Sequence, residues 1–335
     1  MRLARLVGAL LAVAHLAAGA TFFLPADDYL ILPDEAKPLA EQVTVEGERP
    51  DRDGGGIYYV DVVVRKASLL EQHVPPLRPD GAELVPAHAL VPPGSNFEER
   101  RRQNLRAMDR SQEIAAAVAL RELGEDVRAD PGGALVVGVS PDAPAHGKLR
   151  NGDVIVAVDG RTIRTPDGLR REIGRREPGD EVRLRVRADG ETRTETVGTV
   201  ASPDDPERPI VGIQVEQHAE IELPLDVEID LGNVGGPSAG LAFALDLLEE
   251  LGRDVDRGHR VAATGELQLD GTVSSIGGVK QKTIGARRAG IDVFVVPAGE
   301  NAEVARQNAA GLRIVAVENF QQALQKLATL PKKTN

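Results

Sequence analysis

From Leu6 to Ala26 the chain carries no Lys, Arg, Asp or Glu and is rich in Leu, Ala and Val. Such a run has to be taken out of water, and its length matches the ~20 residues an α-helix needs to cross a bilayer. Arg2 and Arg5 precede it while Asp27 and Asp28 follow, so the positive-inside rule puts the N-terminus in the cytoplasm and everything after Pro25 beyond the membrane. Ala18-Gly19-Ala20 has the small residues of a signal-peptidase site, yet the run is longer than a typical signal h-region. Residues 1–26 therefore read as an uncleaved signal anchor, a single transmembrane helix, with cleavage after Ala20 as the alternative.

Beyond the anchor, 41% hydrophobic residues in a 335-residue chain suffice for at least one sizeable core and suggest about two domains. A net charge of −12 without a basic stripe argues against nucleic acid as a partner. The absence of Cys removes disulfides, thiol nucleophiles and thiolate metal sites together. The histidines downstream of the anchor, His73, His88, His146, His218 and His259, lack metal-ligand spacing, so no metal or other cofactor is expected.

Prolines and Gly54-Gly55-Gly56 mark a tether, followed by an apolar, β-branched run over 57–64 that reads as one buried strand. The prolines between 75 and 93 predict loop over 73–95. Ser95 and Glu98 have capping-box spacing at the head of a helix from about Asn96 to Leu123, whose Arg-rich start could be a separate short helix. Residues 131–200 form a β-rich block, with strands expected at 134–139, 154–158, 182–186 and 192–197 and one helix near 166–175. The acidic stretch from Pro203 to Pro209 reads as a solvated linker. An α/β block follows, with a strand at 225–229, a helix from Pro237 to Leu251, strands at 261–263, 272–276, 292–296 and 313–317, and helices near 279–289, 300–310 and 319–329.

Gly236-Pro237-Ser238-Ala239-Gly240 fits G-x-S-x-G, a pattern that exposes a serine where a turn opens a helix. A Ser-His-Asp triad does not follow: the only histidine after Ser238 is His259, and the acids available to it lie on or just after the same helix. Ser238 could simply cap that helix. A base that works without histidine is nevertheless present. Lys is scarce, 8 residues against 32 Arg, yet Lys280 and Lys282 sit together in Gly277-Gly278-Val279-Lys280-Gln281-Lys282. A guanidinium stays protonated, whereas burial can bring a lysine amine towards neutrality.

The order Gly-Pro-Ser-Ala-Gly, then Thr264-Gly265-Glu266, then Gly277-Gly278-Val279-x-x-Lys282 resembles the proteolytic domain of Lon over about residues 222–330. The resemblance implies Ser238 as nucleophile, Lys282 as general base and Thr264 as the hydroxyl that helps hold the lysine. Many Lon proteases carry an acid three positions before the serine, where this chain has Gly235. No G-x-x-x-x-G-K-[ST] occurs, so ATP dependence within this chain is not expected.

Val139-Ser140-Pro141-Asp142-Ala143-Pro144-Ala145 and Leu149-Arg150-Asn151-Gly152-Asp153-Val154-Ile155-Val156-Ala157-Val158-Asp159-Gly160 resemble a PDZ domain of the bacterial protease-associated kind. That implies a peptide added as a strand beside Ala134, Leu135, Val136 and Val137, with the helix near 166–175 as the other wall. Together the segments resemble membrane-anchored bacterial Lon-like peptidases. The implied fold is α/β (α+β): an anchor at 1–26, a tether with the N-terminal part of the peptidase domain at 27–125, an inserted PDZ domain at 126–202 and a Lon-type proteolytic domain at 203–335. The implied activity is ATP-independent serine endopeptidase action on exposed or unfolded polypeptides outside the plasma membrane, from an expected homo-oligomer. The alternative is a noncatalytic, membrane-anchored peptide-binding adaptor.

If the anchor is retained, the full-length chain should sediment with membranes and its C-terminal domain should be open to protease added to spheroplasts. Recovery of a mature N-terminus at Thr21 would instead establish cleavage after Ala20.

Overall fold

The computed structural model describes residues 24–40, 42–45, 54–90, 97–188, 190–225, 227–229, 231–232 and 234–333. Of the anchor expected at 1–26, residues 1–23 lie outside the described residues, as does the expected cap Ser95. Among the described residues no helix is long and apolar enough to cross a membrane. Pro25 and Ala26, expected to end the anchor, instead open a strand, and Ala26 is buried against Leu30 and Ala67.

The N-terminal part supplies β1 (Pro25–Pro33), β2 (Lys37–Pro38), β3 (Gly56–Tyr59), β4 (Val62–Ser68), β5 (Glu83–Val85) and the long helix α1 (Phe97–Glu122). The run expected as one strand over 57–64 is two: β3 and β4 belong to different sheets, and the chain turns between them at Val60-Asp61. Propensity cannot register this break, because β-branched residues favour both strands equally and the partners of each lie far along the sequence. The stretch expected as loop contains β5, which adds to the β4-β1-β5 sheet ahead of Pro86. Helix α1 is continuous through its Arg-rich start and becomes buried from Ile114 to Leu120.

The middle block comprises β6 (Arg128–Val139), β7 (Val154–Val158), α2 (Pro166–Ile173), β8 (Glu181–Ala188), β9 (Glu191–Gly198) and β10 (Ile213–Glu222). Thr165 caps α2 by accepting from Gly168 N at 3.0 Å, and Pro166 fixes its first turn. Leu169 and Ile173 of α2 pack on Ile155, Leu184 and Val186 in a separate core. The strands run antiparallel in the order β9-β8-β7-β6-β10.

This order corrects two expectations. Strand β10, which completes the sheet, lies beyond the boundary placed at 202, and the stretch expected as a linker forms, over 202–208, the loop of a small hairpin joining Val200–Ala201 to Pro209–Ile210. Consequently Ala134, Leu135 and Val136 have no open edge: Ala134 and Leu135 pair with Ile155 and Val154 on one side and with Gln217 and Glu216 on the other, and Val136 pairs with Val215. An added strand cannot form hydrogen bonds where the ladder is already complete. Val137 falls at a bulge between Gly138↔Gln214 and Val136↔Val215, and the open edge belongs to β10.

The C-terminal block holds α3 (Gly240–Glu250), β11 (Arg260–Ala263), the hairpin β12 (Glu266–Leu267) and β13 (Val273–Ser274), α4 (Val279–Arg288), β14 (Val293–Pro297), α5 (Glu300–Asn308), β15 (Arg313–Val317) and α6 (Phe320–Ala328). Its sheet runs β2-β3-β11-β14-β15, parallel except for β2. Since β3 pairs with β11 across the intervening middle block, that block is an insertion in the α/β unit. Helix α3 is buried on nearly all sides, packed among α1, the sheet and Phe320, Leu324 and Leu327 of α6.

Helix α4 seats closely on the N-terminal segment through glycines. A Cβ on Gly285 would collide with the Asp34 carbonyl oxygen, and one on Gly278 would lie 3.1 Å from Val62 Cγ1. Gly285→Ala should therefore cost about 1–3 kcal/mol and lower the melting temperature by several degrees, as overpacking does. Gly277→Ala, which meets nothing within 4 Å, is the silent control in the same thermal scan.

Candidate active site

Ser238 lies in a short 3-10 turn, Pro237–Ala239, that runs into α3. Gly236 enters the turn at φ 98°, a conformation side chains resist, and Pro237 then sets the first helical φ. The turn is held from two sides. Gly236 N donates to Asn104 O (2.8 Å) and Ser111 Oγ to Pro237 O (3.1 Å), both from α1. From the loop after β11, Gly265 N (2.8 Å) and Thr264 Oγ1 (3.0 Å) donate to Ser238 O.

Lys282 comes from α4, with its Nζ 2.6 Å from Ser238 Oγ and 3.1 Å from Thr264 Oγ1. Thr264 has one hydroxyl proton and directs it at Ser238 O, so towards Lys282 it can only accept. It thereby takes an amine N–H and leaves the lone pair of a neutral Nζ for the serine hydroxyl. Thr264 is fully buried and Lys282 is 3% exposed. Burial pushes the Lys282 pKa down to about 8, against a smaller upward pull from Asp61. Lys280, two residues away, turns to the other face of α4 and is half-buried. His259 bonds Pro331 O instead of approaching Ser238.

Asp61 is the residue that sequence reasoning missed. Gly278 abuts Val62 and Gly285 abuts Val60, so the face of α4 that carries Lys282 packs on the corner that holds Asp61, whose charge acts on the amine. Asp61 Oδ1 is buried without a hydrogen-bond partner among the described residues, while Oδ2 lies 3.5 Å from Lys37 Nζ, which also pairs with Asp34 at 2.7 Å. Burial raises the Asp61 pKa, and Asp34 adds to that shift. A signal existed: an aspartate inside an otherwise apolar run marks either a break or a buried charge. The missing acid at Gly235 also has a steric cause, because a Cβ there would lie 2.9 Å from Asn104 Cβ.

A second concavity, of about 630 Å³, opens between β10 and α2. Leu169, Ile173, Ile213 and Val215 give it apolar walls, α1 closes a third side, and Pro237 and Glu266 border it. At the head of β10, the N–H groups of Val211 and Gly212 have no partner among the described residues, although their carbonyls accept from Ala145 and Ser140. Of the four residues expected to bind peptide, Val137 alone lines this space.

Residues 210–329 match the family model of the Lon protease (S16) C-terminal proteolytic domain, and residues 117–199 match that of the PDZ domain. The chain carries a Lon-type proteolytic domain and a PDZ domain. It is 41% identical over 86 residues to Lon protease 2 of Thermus thermophilus, covering 26% of this chain and 11% of that protein. It is 43% identical over 86 residues to a "Probable periplasmic serine endoprotease DegP-like" of Halomonas elongata, covering 25% of this chain and 18% of that protein. The chain thus spans less than a fifth of the length of these curated relatives. The solved PDZ domain of the SdrC-like protein of Listeria monocytogenes aligns at 24% identity over 25% of this chain and 87% of that one, with a TM-score of 0.24. The matched Lon-type segment contains Ser238, Thr264 and Lys282, whereas Asp61 lies far upstream of it.

Peptide cleavage should rise with pH as Lys282 loses its proton, with a midpoint near 8. Lys282→Arg, which cannot give up its proton, should lower single-turnover cleavage by about 10²–10⁴-fold, while Lys280→Arg leaves it unchanged. Asp61→Asn removes the charge that favours the ammonium, so the midpoint should move down.

Proposed function

We propose that the chain is an ATP-independent serine endopeptidase, tethered by its N-terminal segment to the outer face of a bacterial plasma membrane, that cuts exposed or unfolded polypeptides. The observation that carries the reading is the buried Lys282 amine 2.6 Å from Ser238 Oγ. A noncatalytic adaptor would have no use for an amine brought towards neutrality beside a serine.

In this mechanism neutral Lys282 takes the Ser238 proton as Oγ attacks the scissile carbonyl. The first-turn N–H groups around Ser238, which a helix start leaves without intrahelical partners, face the developing oxyanion. The Lys282 ammonium, favoured by the field of Asp61, then protonates the leaving amine, and water releases the acyl group by the reverse proton path. Thr264 fixes the amine throughout.

Peptide capture by the PDZ domain moves, in this reading, from Ala134–Val137 to the open edge of β10. An extended segment would add there opposite α2, with its terminal carboxylate on the free N–H groups of Val211 and Gly212. Full-length protein in detergent should degrade casein without added nucleotide, and Ser238→Ala should abolish that turnover. Equal turnover by the alanine variant would overturn the peptidase reading.

A further inference from the structure

The groove between β10 and α2 is apolar along its floor and cationic at its rim. Arg100 on α1, Arg170 on α2 and Arg208 ahead of β10 border it from three different elements. Arg170 is taken up by Asp167. Arg100 and Arg208 are not so compensated: Arg100 donates to the Gln214 amide oxygen at 2.9 Å and Arg208 to Ser202 Oγ at 2.8 Å, and neither meets a carboxylate among the described residues. In a chain of net charge −12, two guanidiniums bonded only to neutral acceptors beside one groove are a local reversal of sign.

The acids that border the groove do not cancel this. Glu216 is paired with Arg110, and Glu266, beside Pro237, is held towards its neutral form by burial. Arg208 immediately precedes the segment whose Val211 and Gly212 N–H groups are free, so a terminal carboxylate and a guanidinium would meet at one end of the groove. Arg100 stands over Gln214, at the second position of β10, where side chains upstream of that terminus would emerge from an added strand.

We infer that this groove selects the acidic C-terminal tails of polypeptides, an apolar side chain resting on its floor while Arg100 and Arg208 receive the tail's carboxylates. The inference rests on the PDZ groove proposed above and adds the chemistry of its ligand. A guanidinium at a half-shielded rim contributes modestly, about threefold in affinity, so the pair gives about tenfold discrimination.

The test uses the full-length Ser238→Ala chain in detergent, which cannot consume its ligand, and three short fluorescent peptides read by anisotropy. The peptides share one apolar C-terminal residue and carry acidic, uncharged or basic residues upstream. The acidic tail should bind about tenfold tighter than the basic one, and amidation of its terminus should weaken it further. In the Arg100→Gln, Arg208→Gln double variant the acidic advantage should collapse, whereas the uncharged tail, which loses only the Arg208 contact to its terminal carboxylate, should weaken by no more than about threefold, which also shows that the groove is intact. Equal binding of acidic and basic tails, or an advantage that survives in the double variant, would overturn the inference and leave the groove assignment standing. If no tail binds, the uncharged one included, the groove assignment falls with it, whereas the dyad is judged separately by casein turnover.

Discussion

A lysine amine buried without a paired carboxylate in hydrogen-bond contact is costly if charged, and the Lon-type domain is arranged around that cost. Desolvation lowers the proton affinity of Lys282 until a useful fraction is neutral near physiological pH, and Thr264 spends its single proton elsewhere so that the amine must donate to it. The lone pair that remains faces Ser238. Asp61 sets the limit of the effect: without its field the amine would be a weaker base.

That arrangement requires close packing. Helix α4 approaches the 60–62 corner only because Gly278 and Gly285 carry no side chain, and the same approach brings the charge of Asp61 to bear on Lys282. Helix α1 plays the matching part on the other side of the serine. Its buried half fills the main core against α3, its middle holds the Gly236-Pro237 turn, and its first described turns wall the PDZ groove. One rigid element thus borders both sites. The first turn of α2 also touches the β12–β13 hairpin directly, through Ser274 Oγ donating to Asp167 at 2.7 Å, while Gln268 within the hairpin donates to Ser274 Oγ at 2.8 Å.

Much of this was legible in the residue order. Gly-Pro-Ser-Ala-Gly specifies a tight turn and a helix start by backbone chemistry alone, and the scarcity of lysine makes Lys282 conspicuous among arginines. Most strands and helices of the inserted and C-terminal blocks also follow from local patterning, with ends displaced by a few residues because terminal turns are decided by neighbours. The strand expected at 272–276 shrank to Val273–Ser274, since only those residues find a partner in β12.

Sequence by itself therefore supplied the candidate residues: a serine on a tight turn ahead of a helix, a lysine conspicuous among arginines, a threonine marked by the family resemblance and a β-rich module inserted ahead of them. Tertiary structure decided which edges are open and which charges meet. The packing of α4 on the β3–β4 corner that holds Asp61, and the pairing of β10 with β6 that closes Ala134–Val136 to an added strand, both arise between segments distant in the chain. Local propensity carries no record of such partners, because a strand's residues report that it will be paired and buried but not with what.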